Sequence, residues 1–237
     1  MDTAESILKA LNAGRVLDVA TGNGNFIQSL IGTLNSFDEI IGIDTSEKGA
    51  AAFEQTFAGK PVRFMKMDAA KMEFPDAAFD TVCISNSLHH MPDLGAALSE
   101  MKRVLRPGGS FIVSEMYRDG QTETQMTHVL MHHWWAAVDT AKGIVHKETY
   151  TRQQILDILS ALGLHGMTMQ DESDLSDDPK NPETIKYLTD GVDQYLKRIQ
   201  GLPGEANLRE RGLELRQRAE EIGFHSATSL LAIARKL

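Results

Sequence analysis

The sequence of 237 residues predicts a doubly wound α/β fold built on a mostly parallel sheet. Apolar runs of strand length recur along the chain and stop at acids or polar clusters, as in Glu39-Ile40-Ile41-Gly42-Ile43-Asp44. Between them, apolar residues return at helical spacing, which is the pattern of right-handed β-α-β crossovers. The run Val16-Leu17-Asp18-Val19 also passes through a Gly-rich turn directly into an amphipathic segment. A strand that enters a helix through a turn with few side chains gathers backbone N–H groups and a helix N-terminus at one point. A polar cofactor can approach closely there.

Taken in order, residues 4–12 predict a short helix with Ala4, Ile7, Leu8 and Leu11 on one side. Val16, Leu17 and Val19 around Asp18 make strand one, Gly22 and Gly24 make the turn, and Phe26, Ile27, Leu30, Ile31 and Leu34 mark the next helix. Strand two is 39–44 and ends on Asp44, after which Ser46 is expected to cap a helix running to Phe57. Strand three, 62–67, stops at Asp68, and strand four, 79–84, continues into Ser85-Asn86-Ser87-Leu88-His89-His90. A helix over 93–105 buries Leu94, Ala97, Leu98, Met101 and Leu105; the Arg106-Pro107-Gly108-Gly109 turn is expected to end it before strand five at 110–116.

Beyond Met116 the pattern changes to a His- and Trp-rich helix over 121–142, a helix over 151–162 and a strand over 165–170. The acidic, turn-prone stretch 171–182 reads as a mobile linker. Two charged helices follow at 183–200 and 205–222, and 225–236 reads as a last strand. Ligands of such sheets bind outside the carboxyl ends of the strands at the topological switch point, so the acids after strands two and three and the polar cluster after strand four should converge on the Gly-rich turn.

Composition narrows the partners. The net charge of −9 is spread evenly along the chain, which argues against a nucleic-acid or anionic-membrane partner. The one cysteine, Cys83, excludes an internal disulfide framework and reads as a small core residue, and no long apolar run predicts a signal peptide or membrane span. A cytoplasmic protein is the expectation.

The order of these motifs resembles the class I S-adenosylmethionine-dependent methyltransferases, in particular the small-molecule branch that includes the ubiquinone and menaquinone C-methyltransferases. The residues that carry it are VLDVATGNGNF at 16–26, Asp44, MDAAKMEFPDAAFD at 67–80, SNSLHHMPD at 85–93 and MKRVLRPGGSF at 101–111. The resemblance implies one domain over 1–237, with a seven-stranded Rossmann-like sheet, a cofactor-binding half at 14–116 and helical lid insertions at 117–150 and 171–222. It implies S-adenosyl-L-methionine held by Asp18, Ala20, Thr21, Gly22, Gly24, Asp44, Thr45, Asp68, Ala69, Ser85 and Asn86, with His89 and His90 lining the acceptor side. Dinucleotide binding is the nearest competitor. It needs a small residue where this chain has Ile27, while the first glycine of the methyltransferase-like pattern is here Ala20.

The acceptor should be a small molecule, because the Asn/Asp-Pro-Pro-aromatic run of base-methylating enzymes is replaced by SNSL. On the 121–142 helix, Met126, Val129, Leu130, His133, Trp134, Ala137, Val138 and Ala141 are expected on a core face. His128, His132, Trp135 and Asp139 share another, read as the roof of a substrate pocket. That face also keeps open a metal-dependent enzyme using His128 and His132, although no metal ligand set is assigned. A catalytically silent cofactor-binding protein is the third reading. The oligomeric state is not legible.

Overall fold

The computed structural model describes residues 3–237. In chain order the elements are α1 (Ala4–Ala10), β1 (Arg15–Val19), α2 (Asn25–Thr33), β2 (Glu39–Asp44), α3 (Ala50–Thr56), β3 (Val62–Lys66), β4 (Phe79–Ser85), a short 3-10 turn (Leu88–His90), α4 (Leu94–Val104) and β5 (Leu105–Met116). Then follow α5 (Glu123–Ala141), α6 (Arg152–Ser160), β6 (His165–Glu172), α7 (Pro182–Arg198), α8 (Glu205–Glu221) and β7 (Ser229–Arg235). The seven strands lie in one sheet in the order β3-β2-β1-β4-β5-β7-β6. Pairing is parallel from β3 through β5. At the far side, Gly108 N–H donates to Lys236 O (2.9 Å) while Tyr117 N–H donates to Thr228 O (3.2 Å), so β7 runs antiparallel to β5.

The chain divides into two compact units, residues up to 115 with 157–170 and 230–237, and residues 116–156 with 171–229. In the first unit, β1, β2 and β4 are buried on both faces, which is why they read as nearly continuous apolar runs rather than alternating ones. One face packs Val16, Ile40 and Cys83 against Ile27 and Leu30 of α2 and Phe53 of α3. The edge strand β3 is only partly buried. The strand order reverses between β1 and β4, and this sets the carboxyl ends of those two strands side by side.

Two local expectations fail for identifiable reasons. Ser46 does not cap a helix: its N–H is held by Asp44 Oδ1 (2.8 Å), its hydroxyl accepts from Lys48 N–H (3.3 Å), and α3 starts later, behind Gly49. The 106–109 segment is not a separate turn but the first part of a 12-residue β5, because Lys236, the residue after β7, supplies hydrogen-bond partners to Gly108 and Gly109 while the β4 register slips between Phe79 and Thr81.

In the second unit, α5 begins with a capping box made by Thr122 and Gln125. Its core sets Met131, Trp134 and Val138 of α5 against Leu188 and Val192 of α7 and Leu208 and Leu215 of α8. The Trp134 indole N–H donates to Leu208 O (2.8 Å), and its ring lies where a Cβ on Gly212 would stand 2.4 Å from Cζ2. The core face expected for α5 is therefore too simple. Leu130 is 38% exposed, whereas Gln125, Thr127, Met131 and Ala136 are buried, because the helix is covered on more than one side.

Candidate active site

At the carboxyl ends of β1 and β4, a cleft of about 220 Å³ is lined by Asp18, Ala20, Thr21, Gly22, Asn23, Asn25, Phe26, Ser85 and Asn86. Asp18 is at its base, 1% exposed. Its Oδ2 accepts from the Thr21 hydroxyl (2.6 Å) and its Oδ1 from the Cys83 thiol (3.4 Å). Burial pushes the Asp18 pKa up to about 6, against the lowering effect of those two hydrogen bonds and with a small added push from Asp44. Burial likewise raises the Cys83 thiol, with the Asp18 charge adding to it, so this cysteine is a core donor and not a nucleophile.

The loop over this base is closely fitted. Thr21 N–H donates to Ile43 O (2.9 Å), and a Cβ on Gly42 would stand 2.7 Å from both Thr21 Cγ2 and Oγ1. Ala20 holds a left-handed backbone at φ 57° and Asn86, across the cleft, one at φ 44°. A non-glycine residue held there costs on the order of 1 kcal/mol and tends to mark a ligand site. The turn amides expected to be offered to a ligand are bonded internally: Gly22 N–H goes to Asp44 Oδ2 (3.1 Å) and Gly24 N–H to Thr21 O (2.8 Å). What faces the cleft is the first turn of α2, which starts at Gly24 without a side-chain cap.

Of the residues expected to hold a cofactor, the cleft gathers Asp18, Ala20, Thr21, Gly22, Ser85 and Asn86. Gly24 is just behind it as the N-cap of α2. Asp44, tied to Gly22, borders it, and Thr45 is exposed beyond Asp44. Asp68 is exposed, folded onto Ala70 N–H (2.9 Å), with Ala69 buried next to it; neither lines the cleft.

Residues 17–113 match the family model described as a methyltransferase domain. Among curated relatives, the chain is 39% identical over 106 residues to the ubiquinone/menaquinone biosynthesis C-methyltransferase UbiE of Geobacter sulfurreducens (43% of this chain, 41% of that protein). It is 37% identical over 102 residues to a demethylmenaquinone methyltransferase of Staphylococcus aureus (43% of this chain, 42% of that protein). The chain thus matches about two-fifths of the length of these relatives. Solved structures of the same fold include Haemonchus contortus phosphoethanolamine N-methyltransferase 2 in complex with S-adenosyl-L-methionine (TM-score 0.59, 16% identity, 97% of this chain and 50% of that one). The [4+2]-cyclase SpnF shares it too (TM-score 0.59, 20% identity, 97% and 78%).

The first unit also contains a carboxylate that the apolar pattern of β5 concealed. Glu115, near the end of β5, is wholly buried. Its Oε2 accepts from Ser87 N–H (2.9 Å) and Leu88 N–H (3.2 Å), and its Oε1 meets His89 Nδ1 at 2.5 Å. His89 is itself wholly buried, and its ring contacts that of the partly buried His90 (centroids 4.3 Å apart). An acid inside the apolar run FIVSEM was the available signal.

Within the second unit, the expected polar face of α5 separates into two groups. His128 Nδ1 accepts from Ala227 N–H (2.9 Å) and its ring packs on Phe224 (5.1 Å); burial lowers its pKa to about 4 and keeps it neutral. That backbone bond takes Nδ1 out of the His128/His132 ligand pair. His132 instead lies against His146 (4.8 Å) and Trp135 (6.2 Å), and His146 Nδ1 is bonded to Asp139 Oδ2 (2.9 Å).

Proposed function

We propose that the methyltransferase domain binds S-adenosyl-L-methionine in the β1/β4 cleft and methylates a small quinol-type aromatic acceptor. The observation that carries this reading is the pairing, in one cleft, of an uncapped helix N-terminus with a buried carboxylate. That pair suits a ligand whose amino-acid end bears both a carboxylate and an ammonium group. When bound, S-adenosyl-L-methionine supplies an activated methyl group on a sulfonium, which leaves the chain to align, enclose and manage protons. In this reading the first turn of α2 receives the carboxylate and Asp18, directly or through water, the ammonium. Asp44 receives ribose hydroxyls, Asp68 and Ala69 border the adenine, and Asn86 and Ser85 flank the reacting centre, with His89 and His90 on the acceptor side. The likeness to two quinone-pathway methyltransferases and the acidic charge support a small quinone-like acceptor over nucleic acid.

The first test is binding. S-adenosyl-L-methionine and S-adenosylhomocysteine are each expected to raise the melting temperature, and NAD is not. No shift with either would remove the proposal. Incubation with methyl-labelled donor and a short-chain demethylmenaquinol analogue should then move label to the analogue; donor binding with no transfer to it or to any pooled metabolite would favour the silent reading.

Asp44→Ala should weaken donor binding by about ten- to a hundredfold, the loss of a charged hydrogen bond worth about 1.5–3 kcal/mol. Calorimetry checks it. Because Asp44 also holds Gly22 and Ser46, the melting temperature of the unliganded variant separates a loosened turn from a lost ligand contact.

A further inference from the structure

Three nitrogens converge on the Glu115 carboxylate. Two are peptide N–H groups, of Ser87 and Leu88, and cannot change role. The third is the ring nitrogen Nδ1 of His89, which can carry a proton or lack one. All of this is inside the first unit, with both side chains wholly buried.

From this geometry we propose that Glu115 is a positioning residue that sets the tautomer of His89, holding the proton on Nδ1 and leaving the lone pair on Nε2. The inference rests on the proposed methyl transfer for its consequence, but not for its physics. An ionised carboxylate is acceptor-only, so an imidazole nitrogen within hydrogen-bond distance of it must bring the proton. Neutral imidazole in water prefers the other tautomer. Here the choice is forced by a group on β5, and the same carboxylate pins the start of the 3-10 turn through the Ser87 and Leu88 amides. One side chain therefore fixes both where the His89-His90 pair stands and which ring nitrogen of His89 can accept a proton. For the acceptor this points to a nucleophile that must shed one: its hydroxyl proton goes to the imidazole lone pair as the acceptor's electrons form the new bond to the methyl carbon, and the carbon–sulfur pair leaves on sulfur.

Glu115→Gln distinguishes this role from a merely structural one. In the variant the amide oxygen satisfies the Ser87 and Leu88 N–H groups, and the amide NH2 then faces His89 Nδ1. Two donors cannot share that contact, so Nδ1 must lose its proton and the tautomer inverts while the fold keeps its hydrogen bonds. The experiment is long-range 1H–15N correlation NMR of the histidine ring on the whole protein without ligand, with His89→Gln used to assign the signal. A protonated Nδ1 in the wild type and a protonated Nε2 in Glu115→Gln are expected; an unprotonated Nδ1 in the wild type, or the same pattern in both proteins, overturns the proposal. Should Glu115→Gln fail to fold, the wild-type spectrum alone decides.

Activity gives a second arm. Glu115→Gln should lower the turnover of the quinol analogue by about 10²-fold, the scale of a lost general base. The affinity for S-adenosylhomocysteine should stay within about threefold, because Glu115 does not line the donor cleft. Turnover unchanged despite an inverted tautomer would overturn the positioning role. Absence of any donor binding in the wild type would instead sink the methyltransferase reading and leave the tautomer result standing.

Discussion

Asp18→Asn is expected to stabilise the protein above pH 6 while weakening its grip on the donor. In the folded chain the Asp18 pKa is raised from 3.8 to about 6, chiefly by burial. The folded state therefore keeps a proton that the unfolded state has already released, and stability falls as pH rises through the window from about 4 to about 6. Above it the full cost of the buried charge is present, up to about 3 kcal/mol for a shift of about two units. Asparagine removes that charge at nearly the same volume, and its amide oxygen can still accept from the Thr21 hydroxyl.

The gain should thus be absent near pH 4 and largest above pH 6, as a rise of several degrees in melting temperature. Donor affinity should move the other way, because the ammonium loses its carboxylate; a tenfold loss or more is expected by calorimetry at pH 7.5. A variant that is no more stable at pH 8 than the wild type would show that Asp18 is not held ionised against its solvation. A variant that binds the donor as tightly as the wild type would remove Asp18 from the proposed site.

Trp134→Ala should destabilise the second unit by about 3–5 kcal/mol, the cost of deleting a large aromatic from a closed core. Trp134 is wholly buried, and truncation also releases Leu208 O from the indole N–H. Gly212→Val should act on the same contact from the opposite side. Its Cβ would start 2.4 Å from Trp134 Cζ2, and overpacking of this kind costs about 1–3 kcal/mol. The two changes should compensate in part, because the ring removed is the one the new side chain strikes. Urea unfolding of both single variants and the double variant checks it: a double variant whose loss equals the sum of the single losses would show that the two sites are independent.

These expectations separate what was legible in the sequence from what was not. The β2 bounds and the Gly-rich loop could be read because a buried parallel strand is apolar throughout and its end is polar, as Ile40, Ile41 and Ile43 before Asp44 illustrate. So could the cleft core of Asp18, Thr21, Gly22, Ser85 and Asn86, since the fold brings consecutive strand ends together. Ser46 misled because capping residues also serve turns, and the competing partner was Asp44, whose conformation only the structure gives. The 106–109 segment carries every mark of a turn, yet its fate was decided by Lys236 just past the end of β7, more than a hundred residues away. Leu130 is exposed against expectation because a helix covered on several sides has no single period to read. Glu115 escaped because a carboxylate within a strand reads as solvated, and nothing local in the sequence says that two amides and an imidazole will meet it.

Gly42 has a practical consequence for protein engineering. Stabilising libraries routinely exchange mid-strand glycines for valine or isoleucine, since β-branched residues suit a sheet, and β2 would be an obvious target. Any side chain at that position would displace Thr21 and with it the hydroxyl that clasps Asp18. Such a library would select folded variants that have lost the Thr21–Asp18 hydrogen bond at the base of the β1/β4 cleft, so position 42 belongs among the residues held constant.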